Sequence, residues 1–319
     1  MVNVILHARG AEDALELARR RHPGVTFTTC DTYDGLEPMI SDTGAEIVYS
    51  IRFDGTPAFP RAALVESETV RWVSVGGSGT DHLATWDPAH VTVTNAAGVA
   101  ADMMAEYTIG ALLHFSLDLP GFRAAQARRQ WGAGRVKPIE GQHLLILGLG
   151  QTGRAIARRA KAMGLQVTGM RARPQPTDHV DRVIAEAELD AVLGEVDAIA
   201  VCVPLLDSTR ELLNKARIDV LKPGAVLVDV SRGGVVDQAA LADALASGRL
   251  GGAALDVFEV EPLPEDSPFW AMENVIVTPH SSSVYDGWAL KSVDMFCDNL
   301  TRYLEGAPLQ NIVDPVRGY

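Results

Sequence analysis

The sequence predicts an α/β protein built on two parallel sheets, each flanked by helices. Short apolar segments alternate with helical patterns twice along the chain, over residues 1–98 and again over 144–280. In the second stretch the strands are apolar on successive residues, as expected when both faces of a parallel sheet are covered. The second stretch opens with one complete strand–turn–helix unit, Leu144–Gly164, LLILGLGQTGRAIARRAKAMG.

Taken in order, strands are expected at Val2–Leu6, Val25–Thr28, Ile47–Tyr49, Trp72–Val75 and Val91–Thr94. Helical patterns lie between them at Ala11–Arg21, Leu36–Ile40 and Arg61–Val65. The alternation breaks at Asn95-Ala96-Ala97-Gly98. Asp102–Leu117 then reads as one long helix, either a bridge with a dimer surface or a plain core helix. Residues Gly132–Pro138 read as a glycine-rich, basic surface connection.

The second series of strands is expected at Leu144–Leu147, Gln166–Met170, Ala198–Val203, Val226–Val230, Ala253–Val257 and Val275–Thr278. Its helices are expected at Thr152–Met163, Ala187–Leu193, Arg217–Val220 and Gln238–Ala246, the last capped by Asp237. A long helical pattern over Tyr285–Leu304 closes the chain, followed by Gly306 and Pro308.

The chain has 319 residues, enough for two domains, with 47% hydrophobic and 22% charged residues. A net charge of −13 argues against a nucleic-acid or anionic-membrane surface. Cys30, Cys202 and Cys297 are far apart and make neither a disulfide framework nor a metal spacing, so a reduced, cytoplasmic setting and no metal are expected. The start MVNVILHARG lacks the pattern of a secretory signal. The longest apolar run, Ala198–Leu206, is too short to span a bilayer and contains Pro204.

Gly148, Gly150 and Gly153 stand in GxGxxG spacing between a readable strand and a readable helix, the context a dinucleotide site requires. Gly148 allows the turn out of the strand, Gly150 lets a pyrophosphate approach the backbone, and Gly153 lets helix pack on strand. The free N–H groups and positive dipole end of the helix favour phosphate. The next strand ends at Arg171-Ala172-Arg173 with no acid to bind the ribose hydroxyls of NAD. Two guanidinium forks suit a 2′-phosphate, so NADPH is the expected cofactor, with NAD possible.

Active sites in open α/β sheets lie beyond the carboxyl ends of the strands. Three polar residues stand there: Arg232 after Val226–Val230, Glu261 after Ala253–Val257 and His280 after Val275–Thr278. Reduction of a 2-oxo acid needs a cation for the carboxylate and carbonyl oxygen, a proton donor suited to neutral pH and a carboxylate to orient that donor. Singly, each residue also has a plain structural reading, as a satisfied histidine, a solvated loop acid or a loop arginine.

The chain resembles the D-isomer-specific 2-hydroxyacid dehydrogenase family over roughly Arg71–Pro315. The matching segments are 93–106 (VTNAAGVAADMMAE), 147–164, 203–213 (VPLLDSTRELL), 221–263 (LKPGAVLVDVSRGGVVDQAALADALASGRLGGAALDVFEVEPL) and 274–280 (NVIVTPH). The resemblance implies two Rossmann-like, doubly wound lobes with the active-site cleft between them. It assigns residues 1–98 and 287–319 to the substrate lobe and 99–286 to the dinucleotide lobe. It implies Arg232 as the carboxylate arginine, Glu261 as the dyad carboxylate, and His280 as the acid/base. It places Asp256 near the nicotinamide carboxamide, Val203-Pro204 at the adenine, Thr209 and Ser282 nearby, and Val230-Ser231 on the cofactor side with Gln151 and Thr152 inside the glycine turn. The loop Gly77-Ser78-Gly79 is implied as the backbone donor to the substrate carboxylate, with Arg52 near the substrate.

This chain departs from the family's usual Arg-Ile at Gln151-Thr152 and from its usual Asn at His82, which reads as packing. Trp131 reads as a partner-reaching residue or, alternatively, as core or surface packing. Arginine at 171 resembles the NADPH-using glyoxylate and hydroxypyruvate reductases. The expected function is therefore reduction of a small 2-oxo acid by NADPH to the D-2-hydroxy acid in a homodimer. Rival readings are a dehydrogenase of another 2-hydroxy acid using NAD and a non-catalytic nucleotide-sensing interaction protein. Formate and phosphite enzymes of this fold are disfavoured, because they would carry Gln at Glu261 and Lys near Ser78 respectively.

Overall fold

In the computed structural model, residues 2–52, 59–132, 134 and 136–315 are described. Ala133 and Arg135, within the connection expected over Gly132–Pro138, lie outside the described residues. The chain divides into two compact units, Met1–Val99 with Tyr285–Tyr319, and Ala100–Val284. Each unit is α/β and holds one sheet in which every strand pair is parallel, the class the sequence predicts.

The first unit contains β1 (Asn3–His7), α1 (Glu12–Arg21), β2 (Thr26–Cys30), α2 (Leu36–Thr43), β3 (Ile47–Ser50), α3 (Arg61–Val65), β4 (Trp72–Val75) and β5 (Thr92–Asn95). The strand order is β2-β1-β3-β4-β5. Successive residues of β1 feed opposite layers: Val4 and Leu6 pack with Phe27 and Trp72, whereas Ile5 packs with Leu36, Val48 and Val73. Order reverses between β1 and β3, and there His7 fills the strand ends, with Nδ1 2.8 Å from the Ser50 hydroxyl and Nε2 3.3 Å from the Thr32 carbonyl. Burial pushes the His7 imidazole down to about 4, against the Thr32 carbonyl, so the ring is neutral at physiological pH.

The second unit begins with α4 (Ala101–Ser116) and α5 (Leu119–Ala127). It continues with β6 (His143–Leu147), α6 (Gln151–Ala162), β7 (Gln166–Met170), β8 (Arg182–Ile184), β9 (Ala198–Val201) and α7 (Lys215–Asp219). It ends with β10 (Val226–Asp229), α8 (Gln238–Ala246), β11 (Gly252–Leu255) and β12 (Val275–Val277). Its strand order is β12-β11-β10-β9-β6-β7-β8, so the direction of winding reverses between β6 and β9. Leu145 and Leu147 enter one apolar layer and Leu144 and Ile146 the other, each fully buried and each contributing about 1.5–3 kcal/mol by burial.

Some elements differ from expectation. The helix α5 is not among the expected elements and carries Pro120-Gly121 in its first turn. Proline is acceptable in the first helical turn, and the Asp118 carboxylate caps it by accepting from the Gly121 N–H at 3.3 Å. The edge strand β8 is only three residues long and starts on an arginine, too short for a periodicity signal. The helix expected at Ala187–Leu193 is a 3-10 turn over Glu186–Ala191. The long helix α4 buries Ala105, Thr108, Ile109 and Leu112, and its Asp102 and Glu106 bind the Arg159 guanidinium of α6 at 2.9 and 3.0 Å.

The C-terminal helix α9 (Trp288–Leu304) starts three residues later than its pattern and belongs to the first unit. Phe296 packs 5.3 Å from Trp72 and 5.4 Å from Tyr49, and Tyr303 stacks on Trp72 at 5.3 Å. Tyr285 precedes the helix and donates its phenol O–H to the Val99 carbonyl at 2.9 Å. Among the described residues no helix is long and apolar enough to cross a membrane.

Candidate active site

The reversal of winding in the second sheet makes a crevice at the carboxyl ends of β6 and β9. Gly148 leaves β6 with φ +103°, and a Cβ there would lie 2.9 Å from both the Cys202 carbonyl oxygen and a Val203 methyl. Only glycine fits that turn. A Cβ on Gly153 would lie 1.9 Å from the Gly148 carbonyl oxygen, so this position sets how closely α6 approaches its strand. At Gly150, the N-cap of α6, a Cβ would meet nothing within 4 Å, leaving the backbone open to a ligand.

The first N–H groups of α6, those of Gln151, Thr152 and Gly153, have no backbone partner among the described residues. With the helix dipole they form an anion site. The Gln151 side chain instead accepts from Arg154 at 3.0 Å, and the Thr152 hydroxyl lies 3.7 Å from the Met104 sulfur. Beyond β7, Arg171 is half-buried and Arg173 exposed. These features fit a dinucleotide with its pyrophosphate on the helix terminus.

Other residues expected at the cofactor have their polar side chains engaged within the protein. The Thr209 hydroxyl donates to the Pro204 carbonyl at 2.6 Å and accepts from Leu206 N–H at 2.8 Å, bracing its own loop. Val203 and Val230 are buried. The Ser231 N–H and hydroxyl donate to Asp229 Oδ1 at 2.9 and 2.5 Å.

At the ends of β10, β11 and β12 stand Arg232, Glu261 and His280. The Glu261 carboxylate is held on one side, where Oε1 accepts the Phe258 N–H at 3.0 Å. Its Oε2 lies 2.9 Å from His280 Nδ1. A carboxylate only accepts, so Nδ1 carries the proton and Nε2 is the ring nitrogen directed elsewhere. The two side chains are 37% and 39% exposed, open enough to meet a substrate. Arg232 follows Ser231 and donates to its carbonyl at 2.8 Å.

His280 occupies left-handed backbone, φ +53°, unusual for a residue with a side chain. The turn is held from behind by Asp256, which is buried. The Asp256 carboxylate accepts from the Thr278 hydroxyl (2.6 Å), the Ser281 N–H (2.8 Å), the Ser282 N–H (3.1 Å) and the Ser282 hydroxyl (2.5 Å). Its own carbonyl accepts the His280 N–H at 2.9 Å. Asp256 and Ser282 are thus arranged as an anchor under the histidine.

In the first unit, the loop after β4 has its carbonyls tied from one side. The Gly76 carbonyl accepts from the Ser292 hydroxyl (2.6 Å), the Gly77 carbonyl from Ala96 N–H (2.9 Å) and the Ser78 carbonyl from Asn95 Nδ2 (2.7 Å). The N–H groups of Gly77, Ser78 and Gly79 have no backbone partner among the described residues. Successive free amides of this kind make a concave site for an anion. Sequence reasoning missed Asn95 and Ser292, whose part depends on chain segments meeting from positions far apart. Arg52, two residues beyond β3, is exposed. His82 stands edge-on to Phe59 at 4.5 Å. Trp131 is fully exposed, which overturns the core reading of that residue.

Residues 109–282 match the family model described as D-isomer specific 2-hydroxyacid dehydrogenase, NAD binding domain. The chain belongs to the D-isomer specific 2-hydroxyacid dehydrogenase family. Among its similar proteins is D-3-phosphoglycerate dehydrogenase of Methanocaldococcus jannaschii, 28% identical over 98% of this chain but only 60% of that protein's length. A D-isomer specific 2-hydroxyacid dehydrogenase of Xanthobacter autotrophicus Py2, solved with NADPH and MES, is 30% identical with a TM-score of 0.86 over 100% of this chain and 99% of that one. The NADPH-dependent glyoxylate/hydroxypyruvate reductase of Sinorhizobium meliloti, solved with NADP and sulfate, is 27% identical with a TM-score of 0.84 over the whole of both chains.

In this family member one further carboxylate stands among the site residues. Asp229, at the end of β10, is buried, and its Oδ2 has no partner among the described residues. Burial pushes its carboxyl up to about 7, opposed by the Ser231 bonds, with Asp256 raising it further and Arg232 lowering it. The folded state therefore holds this proton more tightly than the unfolded chain, whose carboxyl has its ordinary value of 3.8. The stabilising contribution is full below about pH 4 and lost as pH rises through about 7. Asp229→Asn should therefore melt increasingly above the parent protein as pH rises from 4 to 8, by a few degrees at the top of the range. Thermal melts of the two proteins across that range check this; a constant difference would contradict it.

Proposed function

We propose that this protein reduces a small 2-oxo acid to the D-2-hydroxy acid with NADPH, with glyoxylate or hydroxypyruvate as the best candidates. The observation that carries the reading is the 2.9 Å bond between His280 Nδ1 and Glu261, at the same sheet edge as the glycine turn. When bound, the reduced nicotinamide supplies a hydride for the carbonyl carbon. His280, charged, donates the Nε2 proton to the carbonyl oxygen and keeps the Nδ1 proton directed at Glu261. Glu261 accepts from Nδ1 and holds the ring oriented before and after transfer. Arg232 binds the substrate carboxylate through its guanidinium fork. Within the first unit, the amides of Gly77, Ser78 and Gly79 are candidate backbone donors to an anionic group, and Arg52 is a candidate cation.

The preference for NADPH is supported by Arg171 and Arg173 beyond β7, where no acid competes for a ribose hydroxyl. The small substrate is supported by the likeness to the S. meliloti reductase. A homodimer is supported by exposed Leu117, Leu119, Phe122 and Trp131 along α5 and its flanks. The three cysteines are free, consistent with a cytoplasmic setting.

Optical assay of NADPH and NADH oxidation against glyoxylate, hydroxypyruvate, pyruvate and phenylpyruvate tests the reading. His280→Gln should lower kcat by about 100-fold or more while NADPH still binds; near-normal turnover would overturn the acid/base assignment. Arg171→Asp should raise the KM for NADPH about 10-fold or more and leave that for NADH little changed, as expected when a charge-assisted bond to phosphate is lost and replaced by repulsion. An unchanged NADPH KM would remove the basis for the cofactor preference. Sedimentation should give a dimer mass, and Trp131→Ala with Phe122→Asp should shift it toward monomer.

A further inference from the structure

The Asp256 carboxylate that holds the histidine turn is itself held from a helix outside the sheet. The Tyr107 phenol, on α4, lies 2.9 Å from the Thr278 hydroxyl, and that hydroxyl lies 2.6 Å from Asp256 Oδ1. A threonine hydroxyl has one proton, and facing a carboxylate it gives that proton to the acid. The bond to Tyr107 must then run the other way, with the phenol donating. The three groups form a directed chain, Tyr107 O–H to Thr278 O–H to Asp256. Each donation strengthens the next.

Both ends of this chain are secured. Burial pushes the Tyr107 phenol up to about 12, with the Thr278 bond opposing and the nearby Asp256 and Asp229 adding, so it keeps its proton through the neutral range. At the other end Asp256 grips the amides of Ser281 and Ser282 and, through its carbonyl, that of His280. His280 sits in left-handed backbone at that point, a conformation that persists only where surrounding bonds impose it.

We propose that Tyr107 is a positioning residue for His280, acting through Thr278 and Asp256 to fix the turn that directs Nδ1 at Glu261. The hydrogen bond of Tyr107 goes to Thr278 and to neither dyad member; its effect is on where the imidazole is held. This inference rests on the functional reading above only for its kinetic consequences, and its geometric claim stands without them.

The test uses full-length protein in four variants: Tyr107→Phe, Thr278→Val, Thr278→Ser and the Tyr107→Phe/Thr278→Val double. Tyr107→Phe should lower kcat about 3- to 10-fold, the range of one lost buried hydrogen bond, with the KM for NADPH unchanged. Thr278→Val should lower it at least as far, and Thr278→Ser, which keeps the hydroxyl, should stay within about 2-fold of the parent. The double variant should match Thr278→Val alone, because the chain is already cut. Losses that multiply, or a Tyr107→Phe protein with parental kcat, would overturn the proposal. In parallel, 15N-histidine NMR follows the His280 Nδ1–H signal, assigned by its loss in His280→Gln. Tyr107→Phe should shift and broaden that signal while the other histidines hold theirs; an unmoved signal would overturn the proposal. A moved signal in a protein that reduces no 2-oxo acid would uphold the relay and reject the functional reading.

Discussion

A sheet whose strands all run one way presents every carboxyl end on one edge, and that constraint governs the chemistry of this protein. In the second unit the glycine turn after β6, the Cys202–Pro204 segment after β9, Arg232 after β10, Glu261 after β11 and His280 after β12 all emerge there. No residue needs a special path to reach its neighbours. Strand order does the arranging: β10, β11 and β12 are successive neighbours, so the arginine, carboxylate and imidazole come from adjoining positions. The reversal between β6 and β9 opens the crevice in which Gly148 can turn.

Much of this edge was legible in the sequence because the signals are local. A four-residue apolar strand, three spaced glycines and an amphipathic helix lie within one stretch of chain. Polar residues just past strand ends are equally easy to find. What the sequence hid depends on meetings between distant segments. Nothing near Tyr107 marks it as a partner of Thr278, far along the chain, and nothing near Asn95 marks it as the donor to Ser78. Asp256 is placed near the cofactor by resemblance, but nothing local announces that its carboxylate also accepts from Thr278, Ser281 and Ser282. The helix α5, absent from the expected elements, carries Pro120 in its first turn, where a missing N–H costs nothing.

Two buried carboxylates at the ends of adjacent strands are satisfied differently by their partners. Asp256 has a donor for each oxygen. Asp229, one strand away, has the Ser231 N–H and hydroxyl on Oδ1 and, among the described residues, no partner on Oδ2. Depth alone does not decide what a buried acid does; the number and placement of donors does. The same logic applies to the loop after β4. Its amides are left available because their companion carbonyls are tied down by Asn95, Ala96 and Ser292.

The second unit is an insertion in the first, and the Tyr285–Val99 hydrogen bond draws together the chain entering and leaving it. Folded, the insert behaves toward its host as a loop whose ends already meet. Unfolded, it becomes a long tether, although the entropy of closing such a tether grows only with the logarithm of its length. The sharper consequence concerns synthesis. Trp72 precedes the insert in the chain, whereas Phe296 and Tyr303, which pack on it, follow the insert. The apolar surface around Trp72 is therefore covered only after the whole insert has been synthesised.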